Sequence, residues 1–154
     1  MAAMKTAKAK STSEKHASYR KPALRSQAFA RAIGDAKLRL AGPGGLRSLF
    51  EKAAKECSSL PRHRFGGNWP YLQTMLRLVR ACEQGEYKKI SKPALLWVVT
   101  ALNYLVDPFD LIPDSTPFIG YVDDAVVVEF VVEKTREALD QFMIWETTGR
   151  SSAA

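Results

Sequence analysis

The sequence is short of the residues that build disulfide frameworks, metal sites and fibrous repeats. Its 154 residues include two cysteines, two histidines, nine glycines and eight prolines. Two cysteines exclude a disulfide-stapled scaffold, and the modest glycine and proline content excludes a collagen-like or wholly low-complexity chain. The basic N-terminus is not followed by the apolar segment of a secretory signal, so we expect a reducing, cytoplasmic setting.

Motifs for phosphate binding and nucleophilic catalysis are also missing. The glycine-rich run 42–45 has no Gly-Lys-Ser/Thr after it and no apolar strand before it, as a P-loop would require. The chain has no Gly-x-Ser-x-Gly elbow. Cys57 and Cys82 fall on apolar helix faces without histidine or cysteine at ligand spacing, so we predict core thiols. Hydrolase and transferase functions therefore lack a nucleophile.

Acidic residues are scarce in the first 92 positions. Residues 1–92 contain 20 lysines and arginines against six aspartates and glutamates, whereas residues 93–154 contain three against ten. The net charge is thus +14 in the first part and −7 in the second. Such a basic region is typical of proteins that bind nucleic acid or an anionic membrane surface. A solubilising tail on a self-complementary fold has the same composition, so charge alone leaves both interpretations open.

Hydrophobic periodicity predicts a single all-α domain, a compact bundle of about five helices over residues 23–147. Residues 1–22 have almost nothing to bury, and we expect them to form a disordered basic tail, with a second disordered tail over 148–154. Asn68 is predicted to cap the third helix, Ser91 or Lys92 to open the fourth, and Gly85 to end the third. The predicted helices cover residues 24–40, 46–60, 70–84, 91–106 and 121–146.

The fourth predicted helix is apolar on nearly every side. Between Ala94 and Val106 only Thr100 and Asn103 are polar. Such a helix lies either in the centre of a core or in lipid. Thirteen residues reach about 20 Å, which is short of the roughly 30 Å of a bilayer's hydrocarbon. Because the amphipathic helices need an apolar surface to cover, we predict that this helix lies at the centre of the bundle.

A long motif follows this helix. Tyr104-Leu105 is followed by Asp107-Pro108-Phe109-Asp110-Leu111-Ile112-Pro113-Asp114, and then by Pro117-Phe118-Ile119-Gly120-Tyr121-Val122-Asp123-Asp124. On these residues the chain resembles the YkvA-like family, a bacterial domain of unknown function, over about residues 93–133. The resemblance implies an all-α fold in which two apolar helices are joined by the proline- and aspartate-rich connection. It also implies membrane association, and it implies no catalytic residues.

Five carboxylates of the motif form a candidate functional loop: Asp107, Asp110, Asp114, Asp123 and Asp124. Hard cations such as Mg²⁺ or Ca²⁺ bind several carboxylate oxygens held close together, and an acid beside the ion activates water. The candidate metal ligands are Asp110, Asp114, Asp123 and Asp124. We favour a structural role, because Asp114 and Asp123 lie near predicted helix starts, where carboxylates cap free N–H groups.

Arg62, His63 and Arg64 form a candidate anion-binding loop beside Phe65 and Trp69. Basic residues interleaved with aromatic residues bind single-stranded nucleic acid through phosphate contacts and base stacking. No RNA-binding signature surrounds these residues, so we favour the interpretation that Phe65 and Trp69 pack over a helix end.

The sequence therefore favours a non-enzymatic binding or scaffold module, cytoplasmic and peripheral to the inner membrane. Its basic part would contact an anionic membrane surface, and its acidic last helix would face a protein partner. No cofactor is expected for that function. The first alternative is a nucleic-acid-binding protein that uses the basic N-terminal part of the chain. The second is a divalent-metal-dependent enzyme that uses the aspartate loop with Mg²⁺ or Ca²⁺.

Overall fold

The computed structural model describes residues 27–106 and 117–149, except for the side chains of Ala28 and of residues 117–123. These parts of the chain form five α-helices. Within those ranges there is no strand, which confirms the predicted all-α fold. The predicted tail over 1–22 lies outside the described residues. The helices are α1 (Gln27–Ala41), α2 (Gly45–Cys57), α3 (Trp69–Glu83), α4 (Lys92–Val106) and α5 (Pro117–Ile144). Two 3₁₀ turns, Arg62–Arg64 and Gly66–Asn68, precede α3, and a π-helical turn, Trp145–Gly149, follows α5.

α4 lies at the centre of the bundle and contacts each of the other four helices. Every side chain from Val98 to Leu105 is buried, as the nearly uniform apolar pattern predicts. Among the described helices, none combines the length and the apolar character that a membrane crossing requires. The central position predicted for this helix is therefore confirmed.

Aromatic side chains join α1, α4 and α5 at one side of the core. The ring of Phe29 on α1 lies 6.4 Å from that of Tyr104 and 6.2 Å from that of Phe130, measured between centroids. The ring of Trp97 on α4 lies 5.4 Å from that of Phe130. All three pairs meet edge to face, the arrangement that the ring quadrupoles favour. Phe130 thus ties α5 to both α1 and α4.

A polar network fixes α1 on the apolar surface of α4. Asn103 is 5 % exposed, and its side-chain amide donates a hydrogen bond to the carbonyl of Ala32 at 3.1 Å. The Asn103 Oδ1 accepts a hydrogen bond from Nε of Arg39 at 2.8 Å. The same guanidinium donates to the carbonyl of Gly45 at 3.2 Å, so it also holds the start of α2. Since buried polar groups are costly when unpaired, this network selects one register of α1 on α4.

Two of the predicted helix ends are confirmed in atomic detail. Ser91 caps α4, because its hydroxyl oxygen accepts a hydrogen bond from the N–H of Ala94 at 3.2 Å. Gly85 follows the end of α3 with φ of 75°, and the N–H of Glu86 reaches back to the carbonyl of Ala81 at 2.9 Å. This Schellman arrangement requires the left-handed backbone that glycine adopts without strain.

Other ends differ from the prediction. Asn68 makes no side-chain capping bond to α3, because it ends a 3₁₀ turn with helical φ and ψ of −86° and −9° instead of the extended backbone of a cap. α5 begins at Pro117 and not near Tyr121. Proline fits a first helical turn, since it has no N–H to satisfy and its φ is already helical. At the other end the π-helical turn continues to Gly149, two residues beyond the predicted domain boundary.

We predict that Asn103→Ala lowers the free energy of unfolding by about 1–3 kcal/mol, because it removes both hydrogen bonds between Asn103 and α1. Thr100→Val is the matched control. Its hydroxyl is also buried in α4, but it bonds only to the carbonyl of Leu96 in its own helix. We expect it to cost less than about 1 kcal/mol. Urea unfolding measures both, and equal losses would contradict the stabilising role of the network.

Candidate functional site

Two of the five candidate aspartates, Asp123 and Asp124, lie within the described residues, and both belong to α5. Asp107, Asp110 and Asp114 lie outside the described residues. Asp123 lies in the second turn of α5, because the helix begins at Pro117, and the first turn contains no acidic residue. A side chain caps free N–H groups only at the first turn, so the capping role predicted for Asp123 is wrong.

Asp124 is the one member of the set whose side chain the structure describes. It is 9 % exposed, and it lies close enough to Cys57 for its charge to contribute to the raised pKa of that thiol. The carboxylate is therefore buried in the bundle near the C-terminal end of α2. Within the described parts of the chain, no three or more His, Cys, Asp or Glu side chains are grouped as a metal ion would require.

Both thiols belong to the core, as predicted. Cys57 is buried and Cys82 is half-buried. Burial raises the pKa of each thiol to about 11, and the charges of Glu56 and Asp124 add to the effect at Cys57. The thiolate is the reactive form of cysteine, and an environment that favours the neutral thiol suppresses it. Neither side chain is arranged to act as a nucleophile.

The basic loop Arg62–Arg64 forms a 3₁₀ turn at the start of α3. Phe65 is 4 % exposed and packs against Trp69 with ring centroids 5.6 Å apart. The guanidinium carbon of Arg62 lies 5.5 Å from the centroid of the Trp69 ring, a cation–π contact. These aromatic side chains therefore pack over the start of the helix, and Phe65 is not accessible to a nucleobase. Arg62 and His63 are exposed on the outer side of the turn.

Polar contacts hold α5 beside α3 in a parallel orientation. The hydroxyl of Tyr71 donates a hydrogen bond to Asp140 at 2.9 Å, and this bond is the main cause of the raised pKa of Tyr71. Six residues further along both helices, Arg77 binds both carboxylate oxygens of Glu146, at 2.9 Å from Nε and 3.2 Å from Nη2. A bidentate pair of this kind fixes geometry as well as charge.

The sequence segments that contain these two helices differ in net charge. Residues 62–92, which we call the basic segment, contain seven lysines and arginines against two acidic residues. Residues 117–149 contain two lysines and arginines against seven acidic residues. Sequence reasoning singled out Arg62 to Arg64 and overlooked the lysines between α3 and α4, although the pair Lys88-Lys89 is visible in the sequence. The exposed cations of the basic segment are Arg62, Arg77, Arg80, Lys88, Lys89 and Lys92.

We predict that the native thiols react slowly with iodoacetamide at pH 8. With the pKa of Cys57 and Cys82 at about 11, few molecules carry a thiolate, whereas an unfolded cysteine has a pKa of about 8.5. Alkylation of the folded protein should be more than about tenfold slower than that of the urea-unfolded chain. The rate should rise with pH up to about 11. Rapid alkylation of either thiol in the folded protein would contradict this assignment.

Comparison with known proteins shows that the sequence is similar to a family without an assigned function. Residues 94–130, which include nearly all of α4 and the first half of α5, match the model of a protein of unknown function, DUF1232. The chain is also 27 % identical over 106 residues to the "Uncharacterized membrane protein YkvA" of Bacillus subtilis (strain 168). That similarity covers 69 % of this chain and 90 % of the relative. No solved structure was found to match.

The similarity to the Bacillus protein extends beyond the motif. Its 106 residues exceed the length of the chain after residue 92, so part of the basic region is included. The family model matches residues 94–130, and this range includes the whole motif from Tyr104 to Asp124. The predicted resemblance is therefore confirmed: this chain is similar to the Bacillus protein YkvA, and its α4–α5 segment is similar to the DUF1232 family of unknown function.

Proposed function

We propose that this protein is a non-enzymatic helical module that attaches to the surface of an anionic membrane through its basic segment. The observation that carries the proposal is the set of exposed cations that precede, lie on and follow α3. Lysine and arginine side chains near a surface of anionic lipids each contribute about 1 kcal/mol of binding free energy. Several of them together are sufficient for reversible attachment without any segment that crosses the bilayer.

The position of α4 supports attachment from outside the lipid. Four helices cover this apolar helix, and its residues from Val98 to Leu105 are already buried in protein. Its apolar surface is thus used to stabilise the bundle. The relative from Bacillus is named a membrane protein, which agrees with a membrane surface as the partner.

The exposed charges of α5 are balanced. Glu133 and Glu137 are exposed on this helix beside Lys134 and Arg136, whereas Asp140 and Glu146 are engaged by α3. An anionic bilayer attracts the basic segment more strongly than this balanced surface, so the module would bind with α3 towards the lipid. The exposed stretch of α5 would then face away from the membrane, where a protein partner can reach it.

We predict that Lys88→Gln/Lys89→Gln weakens binding to vesicles of phosphatidylglycerol and phosphatidylcholine by roughly thirtyfold at low salt, since two cations are lost. Lys37→Gln/Lys134→Gln is the matched control. It removes the same charge from exposed positions on α1 and α5 and should have a much smaller effect. Sedimentation with vesicles at two salt concentrations measures the affinities, and the double variant of the basic segment should also show a weaker salt dependence.

Three results would contradict the proposal. The first is equal binding to vesicles of phosphatidylcholine alone, and the second is equal weakening by the control variant. The third is salt-dependent binding to generic RNA or DNA without binding to anionic vesicles, which would favour the nucleic-acid alternative.

A further inference from the structure

A large aliphatic side chain is exposed at the C-terminal end of α5. Ile144 is 62 % exposed and borders an open groove of about 330 Å³. Tyr87, Lys89 and Trp145 also line this groove. Among the described residues, the only other large hydrophobic side chain with comparable exposure is Leu38 on α1, at 72 %. Ile144 therefore stands out because it adjoins both an aromatic cluster and a lysine.

Three aromatic side chains pack against one another beside the groove. The ring of Tyr87 lies 5.0 Å from those of Phe142 and Trp145, and the rings of Phe142 and Trp145 stack at 5.5 Å. All three side chains are buried. A Cβ on Gly149 would come within 2.9 Å of the Trp145 ring, so the π-helical turn packs closely over that ring.

Hydrogen bonds of the π-helical turn fix the backbone at Ile144. Its carbonyl accepts hydrogen bonds from the hydroxyls of Thr148 at 2.7 Å and Thr147 at 3.1 Å, which closes the turn. β-branched side chains in helices have one strongly preferred rotamer. Docking of Ile144 into an apolar phase would therefore cost little conformational entropy.

The charge around Ile144 matches an anionic surface. Lys89 lines the groove itself, and the neighbouring Lys88 and Lys92 are exposed. Glu146 is compensated by its bidentate contact with Arg77. Glu86, two residues before Lys88, is an exposed carboxylate close to these lysines, which outnumber it three to one. Along α5, Glu137 is exposed two helical turns before Ile144. An apolar side chain bordered by lysines is the pattern of surfaces that enter the headgroup region of anionic membranes.

We propose that Ile144 inserts into the headgroup region of an anionic leaflet while Lys88, Lys89 and Lys92 contact the lipid phosphates. The inference rests on the proposed function and adds to it the surface that enters the lipid. Charge attraction weakens as salt rises, whereas insertion of an aliphatic side chain does not depend on screening. The two contributions are therefore separable by experiment.

The first test measures the partition of the full-length protein onto vesicles of phosphatidylglycerol and phosphatidylcholine. Ile144→Ala should weaken partition by about tenfold at both low and high salt, because the aliphatic contribution is lost and the charges are unchanged. Leu38→Ala is the matched control and should bind like the parent. Circular dichroism should show both variants folded, since both side chains are largely exposed.

The second test reports on insertion directly. Ile144→Cys and Leu38→Cys are labelled at neutral pH with an environment-sensitive maleimide, and the unmodified protein measures any labelling of the two native thiols. The native thiols are buried or half-buried, which favours labelling at the introduced position. The emission of the label at position 144 should shift to the blue on anionic vesicles, and that of the label at position 38 should not.

The outcomes separate this inference from the proposed function. If the parent does not bind anionic vesicles, both fail. If the parent binds but Ile144→Ala binds equally well and the label at 144 shows no shift, only insertion by Ile144 is overturned. Loss of affinity in the Leu38→Ala control as well would also overturn it. A dimer in solution that Ile144→Ala dissociates, without a vesicle-dependent shift, would assign the surface to a second copy of this chain instead.

Discussion

Burial of α4 is the constraint on which the rest of this structure depends. A helix with an unbroken buried stretch from Val98 to Leu105 must be covered on all sides, and the four other helices supply that cover. Each fully buried aliphatic side chain contributes about 1.5–3 kcal/mol relative to exposure. Non-directional burial does not choose between rotations of the covering helices, so the polar contacts of Asn103 supply the register of α1.

The same arrangement determines what remains available for function. Because the other four helices cover α4, the charged side chains available to a partner are those on the outer surface of the bundle. Tyr71 binds an acidic residue of α5 and Arg77 binds one of the π-helical turn, whereas Arg62, Arg80 and the three lysines of the basic segment are exposed. A membrane surface is the partner that we propose for the basic segment, with the aliphatic Ile144 beside it. The same helices that stabilise the core would then present this proposed docking surface.

The sequence predicts local structure better than it predicts contacts between distant residues. The five helices, the central α4, the cap at Ser91 and the turn at Gly85 follow from periodicity and from the chemistry of helix ends. The bond between Arg39 and Asn103 and the proximity of Lys89 to Ile144 join positions far apart in the chain, and no local pattern marks them. The sequence pattern places the start of α5 near Tyr121, because proline usually interrupts a helix. In the structure Pro117 begins the helix, since proline fits a first turn.

The most direct test is to extract the full-length protein from the membranes of the cells that produce it. This test decides whether the bundle lies on the membrane with α4 inside the protein. Alkaline carbonate removes proteins held at the surface by charge and by a few inserted side chains, but it leaves proteins whose helices are embedded in lipid. The account predicts that carbonate releases the protein and that it remains helical after return to neutral pH. Retention in the membrane pellet until detergent is added would show that apolar helices are seated in lipid and would contradict the account.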